Sequence, residues 1–499
     1  MVDMRLTNSI LSLLLLLAAA FAQAASPTLQ TVEFHSSSLD KQTTYIAVLP
    51  NPLEPGRKYP VLYLLHGAWG SYHDWTQNTS ATEFLADKPV IVITPDGGQF
   101  GWYLDSPTEP PSRYESFITH DLITDVDSRF PTNATRAMRG IVGLSMGGHG
   151  ALSLAAKHPE LFSSASSLSG ILRLENHPTQ WELPKRLGAL PAHETEWAQN
   201  SVYDLVDNFT SAGVALLFDC GTSDSVNACK DNRQVHERLS NRGIQHTYRE
   251  FPGTHDWKYW GGHLPEHIAF HLKHFTDGEA AAPHPSKPDH YRDRALLFEK
   301  ENADHWSKEM TTRPIVLLGS SSFEILKADQ LFPGWAIANR GIGADRIGLG
   351  GYRGLLHRLY SGVFDLHPRA VFLLNGTNDL AQTAKEGTPS VEDVATCFAE
   401  VVQRIRQGAP DAHVFIVSCT PTRDAHAASS PFIKQYDELL KQQAASGGPM
   451  VHYVDTYSRV VGDDGLLKPE YSRDGLHMNP AGYQLLKEEF LKAFAVTEL

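Results

Sequence analysis

Four cysteines in 499 residues are too few for a fold stapled by disulfides. None stands at metal-ligand spacing, and no histidine–cysteine cluster offers a zinc site. Cys220 and Cys229 are close enough in sequence to bridge in an oxidising compartment, and read equally well as two free thiols. Cys397 lies in a helical pattern and Cys419 at a strand end, so both are expected in the core. Positive charge is in deficit: 43 Lys and Arg against 57 Asp and Glu leave a net charge of −14. That balance offers no electrostatic attraction to nucleic acid or to an anionic membrane. Long apolar runs are scarce too. Ile10 to Ala22 is too short to span a bilayer with flanks, and it ends in Ala22-Gln23-Ala24. An apolar run closed by small residues is a signal-peptide pattern, so residues 1–25 are expected to direct export, leaving a secreted or periplasmic protein. The full sequence is 41% apolar and 20% charged, a globular composition, and the length suggests two to three domains.

What the sequence does carry is alternation. Apolar strands are expected at 44–49, 61–65, 90–94, 138–143, 214–218 and 247–251, with helices near 117–130, 232–241 and 264–275. Continuous apolar strands separated by helices predict a parallel sheet covered on both faces. The stretch from Asp277 to Pro288 is Pro- and Ala-rich without periodicity, which marks a linker. A second alternation follows: a helix near 293–308, strands at 314–318, 335–339, 370–375 and 414–418, and helices at 391–407 and 430–445. The expected organisation is a signal peptide (1–25), an α/β domain (27–277), a linker (278–290) and a smaller α/β domain (291–499).

Gly143-Leu-Ser145-Met-Gly147 stands between a strand and a helix. A serine there, flanked by glycines, is the nucleophile elbow of α/β-hydrolases, whose partners follow in the chain order Ser, acid, His. Ser145, Asp224 and His255 satisfy that order, each in a loop after a strand. Asp219 also stands at a strand end and competes with Asp224 as the acid; Asp256 is expected to play a supporting or surface role. The oxyanion donors are expected to be the N–H of Met146 and that of Ala68, in the loop His66-Gly-Ala-Trp-Gly70. Gly101-Trp102-Tyr103 and the insertion 176–200 are expected to lie over the elbow and set specificity.

With these residues in place, about 30 to 275 resembles the esterase D-like α/β-hydrolases. That group holds carbohydrate esterase family 1, with its feruloyl and acetyl xylan esterases, and the S-formylglutathione hydrolases. The resemblance rests on Leu64-Leu-His-Gly with Asp74-Trp75, on Gly143-Leu-Ser-Met-Gly-Gly-His-Gly-Ala, on Gly221-Thr-Ser-Asp224 and on His255-Asp-Trp.

Gly319-Ser-Ser321-Ser follows an apolar strand, Asn339-Arg-Gly-Ile-Gly-Ala344-Asp follows the next, and Gly376-Thr-Asn378-Asp follows another. Asp474-Gly-Leu-His477, near the C-terminus, places an acid and a base three residues apart. These four blocks resemble those of the SGNH (GDSL-like) hydrolases from about 291 to 499, which implies a flavodoxin-like α/β fold. The resemblance further implies Ser321 as nucleophile, His477 as base and Asp474 as its acid, with the Asn378 side chain and the Ser321 N–H as oxyanion donors. The glycine expected as a third donor is Ala344 here. If that backbone requires φ > 0, alanine costs of order 1 kcal/mol or shifts the loop.

Together the two resemblances imply a bi-domain serine esterase working without metal or organic cofactor. Its expected partner is an acylated polysaccharide such as acetylated or feruloylated xylan, with no nucleic acid and no membrane. The alternatives are a general carboxylesterase or siderophore esterase on small esters, or one catalytic domain with the SGNH half as a glycan-binding module.

Overall fold

The computed structural model describes residues 27–210, 213–275, 289–306, 312–349, 353–495 and 497. The expected signal peptide and most of the expected linker lie outside these residues. Two compact units divide the chain, one within 1–235 and 245–284, the other within 236–244 and 285–499.

The first unit is built on an eight-stranded sheet: β1 (Thr28–Ser36), β2 (Lys41–Leu49), β3 (Val61–Leu65), β4 (Ile91–Pro95), β5 (Arg139–Leu144), β6 (Ser164–Leu168), β7 (Ala215–Gly221) and β8 (Thr247–Phe251). Their spatial order is β1-β2-β4-β3-β5-β6-β7-β8. From β4 to β8 all neighbours are parallel, and β3 to β6 are wholly buried, as strands covered on both faces must be, although β6 carries three serines and β5 opens on Arg139. The expectation of a purely parallel sheet fails at one edge: β1 pairs antiparallel with β2, and β2 with β4. The cause is local, since only four residues join β1 to β2, enough for a hairpin and not for a crossover.

Two helices of this unit matter for function. α1 (Met146–Lys157) leaves β5 through Ser145. α2 (Trp257–His274) starts seven residues before the expected 264, because the Asp256 carboxylate accepts the N–H of Tyr259 and caps it there. Gly261, Gly262 and Pro265 obscure that start in the sequence.

In the second unit α3 (His290–His305) comes first, capped by Asp289, so the expected linker already gives way to helix at its last residues. Five parallel strands follow: β9 (Ile315–Gly319), β10 (Ile337–Gly341), β11 (Ala370–Leu374), β12 (His413–Val417) and β13 (Val451–Val454). Their order β10-β9-β11-β12-β13 is the flavodoxin-like 2-1-3-4-5 arrangement. The order reverses between β9 and β11, and ligands of such sheets bind beyond the carboxyl ends of the strands there. The short α4 (Ser321–Ile325) begins at that point, and α5 (Thr377–Glu386) follows β11. Phe372 on β11 stacks on Phe415 at 4.4 Å and on Phe490 at 4.1 Å, within one continuous apolar core.

Backbone crowding at the strand ends fixes where each helix starts. A Cβ on Gly143 would lie 2.2 Å from the carbonyl oxygen of Gly147, and one on Gly147 would lie 2.4 Å from that of Leu65. In the second unit a Cβ on Gly341 would lie 2.2 Å from the Glu324 nitrogen. Gly143→Ala is therefore expected to destabilise the first domain by about 2 kcal/mol, the scale of overpacking. Calorimetry should show the first domain's transition about 4–8 °C lower.

Candidate active sites

Ser145 sits on the turn from β5 into α1 with φ 51° and ψ −118°. Such a backbone costs about 1–3 kcal/mol and persists because its surroundings leave no alternative. His255 Nε2 lies 2.9 Å from Ser145 Oγ, and its Nδ1 lies 2.7 Å from Asp224 Oδ2. A carboxylate only accepts, so Nδ1 carries the proton and Nε2 is left to take that of the serine. The Asp224 side chain is 0% exposed. Burial opposes its charge, but His255 and the N–H groups of Val226 (3.1 Å) and Ala228 (3.2 Å) outweigh it and hold the carboxyl below its ordinary range. Asp219, the competing acid, is committed elsewhere: it accepts from His267 Nε2 at 2.8 Å and from the Tyr259 hydroxyl at 3.0 Å. Asp256 is the cap of α2 and takes no part in the relay.

The N–H groups of Met146 and Ala68 have no acceptor among the described residues. The Ala68 loop closes on the nucleophile, since a Cβ on Gly67 would lie 3.4 Å from that of Ser145. Three ties hold the loop. The Trp69 N–H, at φ 59°, donates to Gln99 O at 3.0 Å, His66 Nε2 accepts the Gly97 N–H at 2.8 Å, and the Tyr103 hydroxyl donates to His66 O at 3.0 Å. The expectation that Gly101-Trp102-Tyr103 lines the substrate opening is thereby corrected. Trp102 and Tyr103 are 0% and 1% exposed, because consecutive left-handed residues (φ 53° and 54°) place both rings in the interior. The start of the 176–200 insertion is likewise anchored: Asn176 Nδ2 and His177 Nε2 bind the two oxygens of buried Asp231, at 2.6 and 2.8 Å. Cys220 and Cys229 are both free thiols, so no bridge closes the Asp224 loop.

In the second unit Ser321 is the first residue of α4. His477 Nε2 lies 2.9 Å from Ser321 Oγ and its Nδ1 lies 2.8 Å from Asp474 Oδ2. The loop makes its own brace, because Asp474 Oδ1 accepts the N–H of His477 at 2.7 Å and that of Leu476 at 3.1 Å. Slight burial works against the charge of Asp474, yet these N–H groups and the imidazole hold its carboxyl at about 2. Its side chain is 45% exposed, unlike that of Asp224.

The N–H groups of Ser321 and Ala344 have no acceptor among the described residues. Asn378 Nδ2 gives one hydrogen to Asp345 O at 2.7 Å and retains a second. Ala344 has φ 59°, so the position does demand the left-handed region, and alanine adopts it. One residue that sequence reasoning missed fixes this end of the sheet. Buried Arg358 donates to Asp345 Oδ2 (2.8 Å from Nε, 2.7 Å from Nη2), to Arg340 O at 2.8 Å and to Gly319 O at 2.9 Å. It therefore ties the oxyanion loop to the strand that delivers the nucleophile. Burial raises the Asp345 carboxyl above its ordinary range, with Arg358 opposing the rise. No motif around Arg358 announced the role; the His66 tie at least stood inside a recognisable block.

The comparisons agree with this division. Residues 36–271 match the family described as "Putative esterase", and residues 320–485 match the GDSL-like Lipase/Acylhydrolase family. The chain thus joins an esterase-type α/β-hydrolase domain to a GDSL-like domain. It is similar to an esterase of Mycobacterium tuberculosis, 32% identical over 260 residues, covering 46% of this chain and 56% of that protein. An acetyl esterase of Caldicellulosiruptor saccharolyticus is 29% identical over 263 residues, covering 47% of this chain and 94% of that protein. Among solved structures, a ferulic acid esterase is 24% identical with a TM-score of 0.44, covering 50% of this chain and all of that one. The chain spans about half the length of the mycobacterial relative it matches.

Because Ala344 holds a left-handed backbone, Ala344→Gly is expected to stabilise the second domain by about 1 kcal/mol. Thermal or urea unfolding of that domain checks the sign.

Proposed function

We propose that the chain is an exported serine esterase with two working sites, which removes acyl groups from a polysaccharide. The observation that carries this reading is the pair of complete Ser–His–Asp relays, each with unspent backbone donors beside its serine. In the first site Ser145 Oγ attacks the ester carbonyl while its proton passes to His255 Nε2. Negative charge on the former carbonyl oxygen is met by the N–H groups of Met146 and Ala68. The intermediate collapses, the C–O bond to the alcohol breaks, and His255 returns the proton to the leaving oxygen. Water, deprotonated in turn by His255, then releases the carboxylic acid. Ser321, His477 and Asp474 run the same steps in the second site, with the donors Ser321 N–H, Ala344 N–H and Asn378 Nδ2.

The similarity to an acetyl esterase supports acetyl as one of the acyl groups. Acetylated or feruloylated xylan follows from the sequence resemblance of the first domain, and export from the apolar N-terminal pattern. Two sites on one chain suit a substrate with different acyl groups, or with one group at different positions, at raised effective concentration.

Acid release from acetylated, feruloylated xylan by the wild type, Ser145→Ala, Ser321→Ala and the double variant tests this reading. Each single variant should lose a different acid or part of the total, and the double variant all of it. At its own site, loss of the nucleophile should cost on the order of a millionfold. Abolition of everything by Ser145→Ala alone would make the second domain a binding module or the esterase of another substrate. No release from the polymer by wild type, with small esters still cleaved, would remove the polysaccharide.

A pH profile isolates the second relay. The lowered pKa of Asp474 means that its favourable interactions are present at neutral pH and are lost only as pH falls through about 2. In a Ser145→Ala background, the acid limb of kcat/KM should therefore show a single ionisation above about pH 3, with none from Asp474. A second acid-side ionisation above about pH 3 would count against Asp474 as the orienting acid.

A further inference from the structure

Glu324 stands three residues after Ser321 on the same short helix. Its Oε2 accepts the N–H of Gly343, the residue immediately before Ala344. On its other side the carboxylate is held by His290 Nε2, at 2.9 Å from Oε1 and 3.1 Å from Oε2, and by Arg294 Nε at 3.4 Å. Arg294 also donates to Gly341 O, at 3.0 Å from Nη2 and 3.3 Å from Nε, so both ends of the segment 341–343 are gripped from α3 and α4. A Cβ at 343 would lie 2.7 Å from Glu324 Oε2, so a side chain there would push the carboxylate off the Gly343 N–H. Beyond this grip the chain turns to φ 59° at Ala344, a conformation that residues with a side chain disfavour.

We infer that Glu324 is a positioning residue of the second site: it clamps the oxyanion loop to the nucleophile's own helix and keeps the Ala344 N–H turned toward the oxyanion. The inference rests on the reading of this site as an esterase. Freed of the clamp, Ala344 can return to negative φ and its N–H leaves the site. Where the expected glycine stands, no such clamp is needed, because glycine holds φ > 0 without penalty. Glu324 touches neither Ser321 Oγ nor the base, so its effect falls on transition-state stabilisation and not on substrate binding.

The test uses the full chain carrying Ser145→Ala, with a short nitrophenyl ester as substrate. That parent should hydrolyse the ester and lose the activity on addition of Ser321→Ala. Failure of this control sinks the second esterase site and the inference with it. Given the activity, Glu324→Ala should lower kcat about 10- to 100-fold at unchanged KM, approaching the loss of one oxyanion donor. Glu324→Gln, whose amide oxygen can still accept the Gly343 N–H, should stay within about threefold of the parent. Adding Ala344→Gly to Glu324→Ala should recover most of the loss, a rescue that a merely structural role would not give. Should Glu324→Ala fail to fold, Glu324→Asp, which withdraws the acceptor by one methylene, should show the same drop in kcat. Undiminished kcat in the Ala or Asp variant, or no rescue by glycine at 344, overturns the inference while leaving the esterase reading intact.

Discussion

Close approach of backbone to backbone at the strand ends is the constraint on which both sites depend. An oxyanion is stabilised by N–H groups that have no other acceptor, and such groups exist where a helix begins. To bring a helix start against the ends of neighbouring strands, side chains must be absent from the contact. Gly67, Gly143 and Gly147 clear that space in the first domain, Gly319 and Gly341 in the second. The Met146 and Ser321 N–H groups at those helix starts are left without an acceptor among the described residues.

The two domains meet that constraint with different distributions of strain and burial. In the first, the strained residue is the nucleophile itself, Ser145 at φ 51°, and the acid Asp224 is sealed from solvent. In the second, the residue before the candidate nucleophile has negative φ, and the left-handed backbone falls on Ala344, the proposed oxyanion donor. Its acid is half exposed, yet two N–H groups of its own loop brace the carboxylate. A buried carboxylate orients a base through a low local dielectric; an exposed one must do so through geometry. The Asp474–His477 loop supplies that geometry within four residues.

Legibility in the sequence followed the same physics. Serines on strand-to-helix turns are written in local motifs, so Ser145 and Ser321 could be located together with the strands before them. His477 and Asp474 share a loop, and His255 follows a strand, so they too were readable. The choice of Asp224 over Asp219 was readable only as a preference for the loop tip after Gly221-Thr222, because the distinction turns on which carboxylate His267 and Tyr259 already occupy. Nor could the interior position of Trp102 and Tyr103 be read: two aromatic residues after a glycine look like a substrate loop until both adopt positive φ. Arg358 left no trace at all, since a lone arginine between strands acquires its meaning only from three carbonyl and carboxylate partners distant in sequence.

Those long-range ties explain how a glycine-to-alanine departure in the second oxyanion loop is tolerated. A buried Arg–Asp pair adds little net stability, because desolvation consumes most of its attraction, yet breaking it is costly. Its value lies in specifying one arrangement. Asp345 is fixed by Arg358 on one side of Ala344, and Gly343 is fixed by Glu324 on the other. With both neighbours immobilised, the peptide between them cannot relax without breaking a charged contact. Alanine is thereby held where glycine would rest without penalty. The oxyanion loop keeps its shape through electrostatic anchors in place of intrinsic backbone preference, and a departure from the expected motif becomes compatible with an intact site.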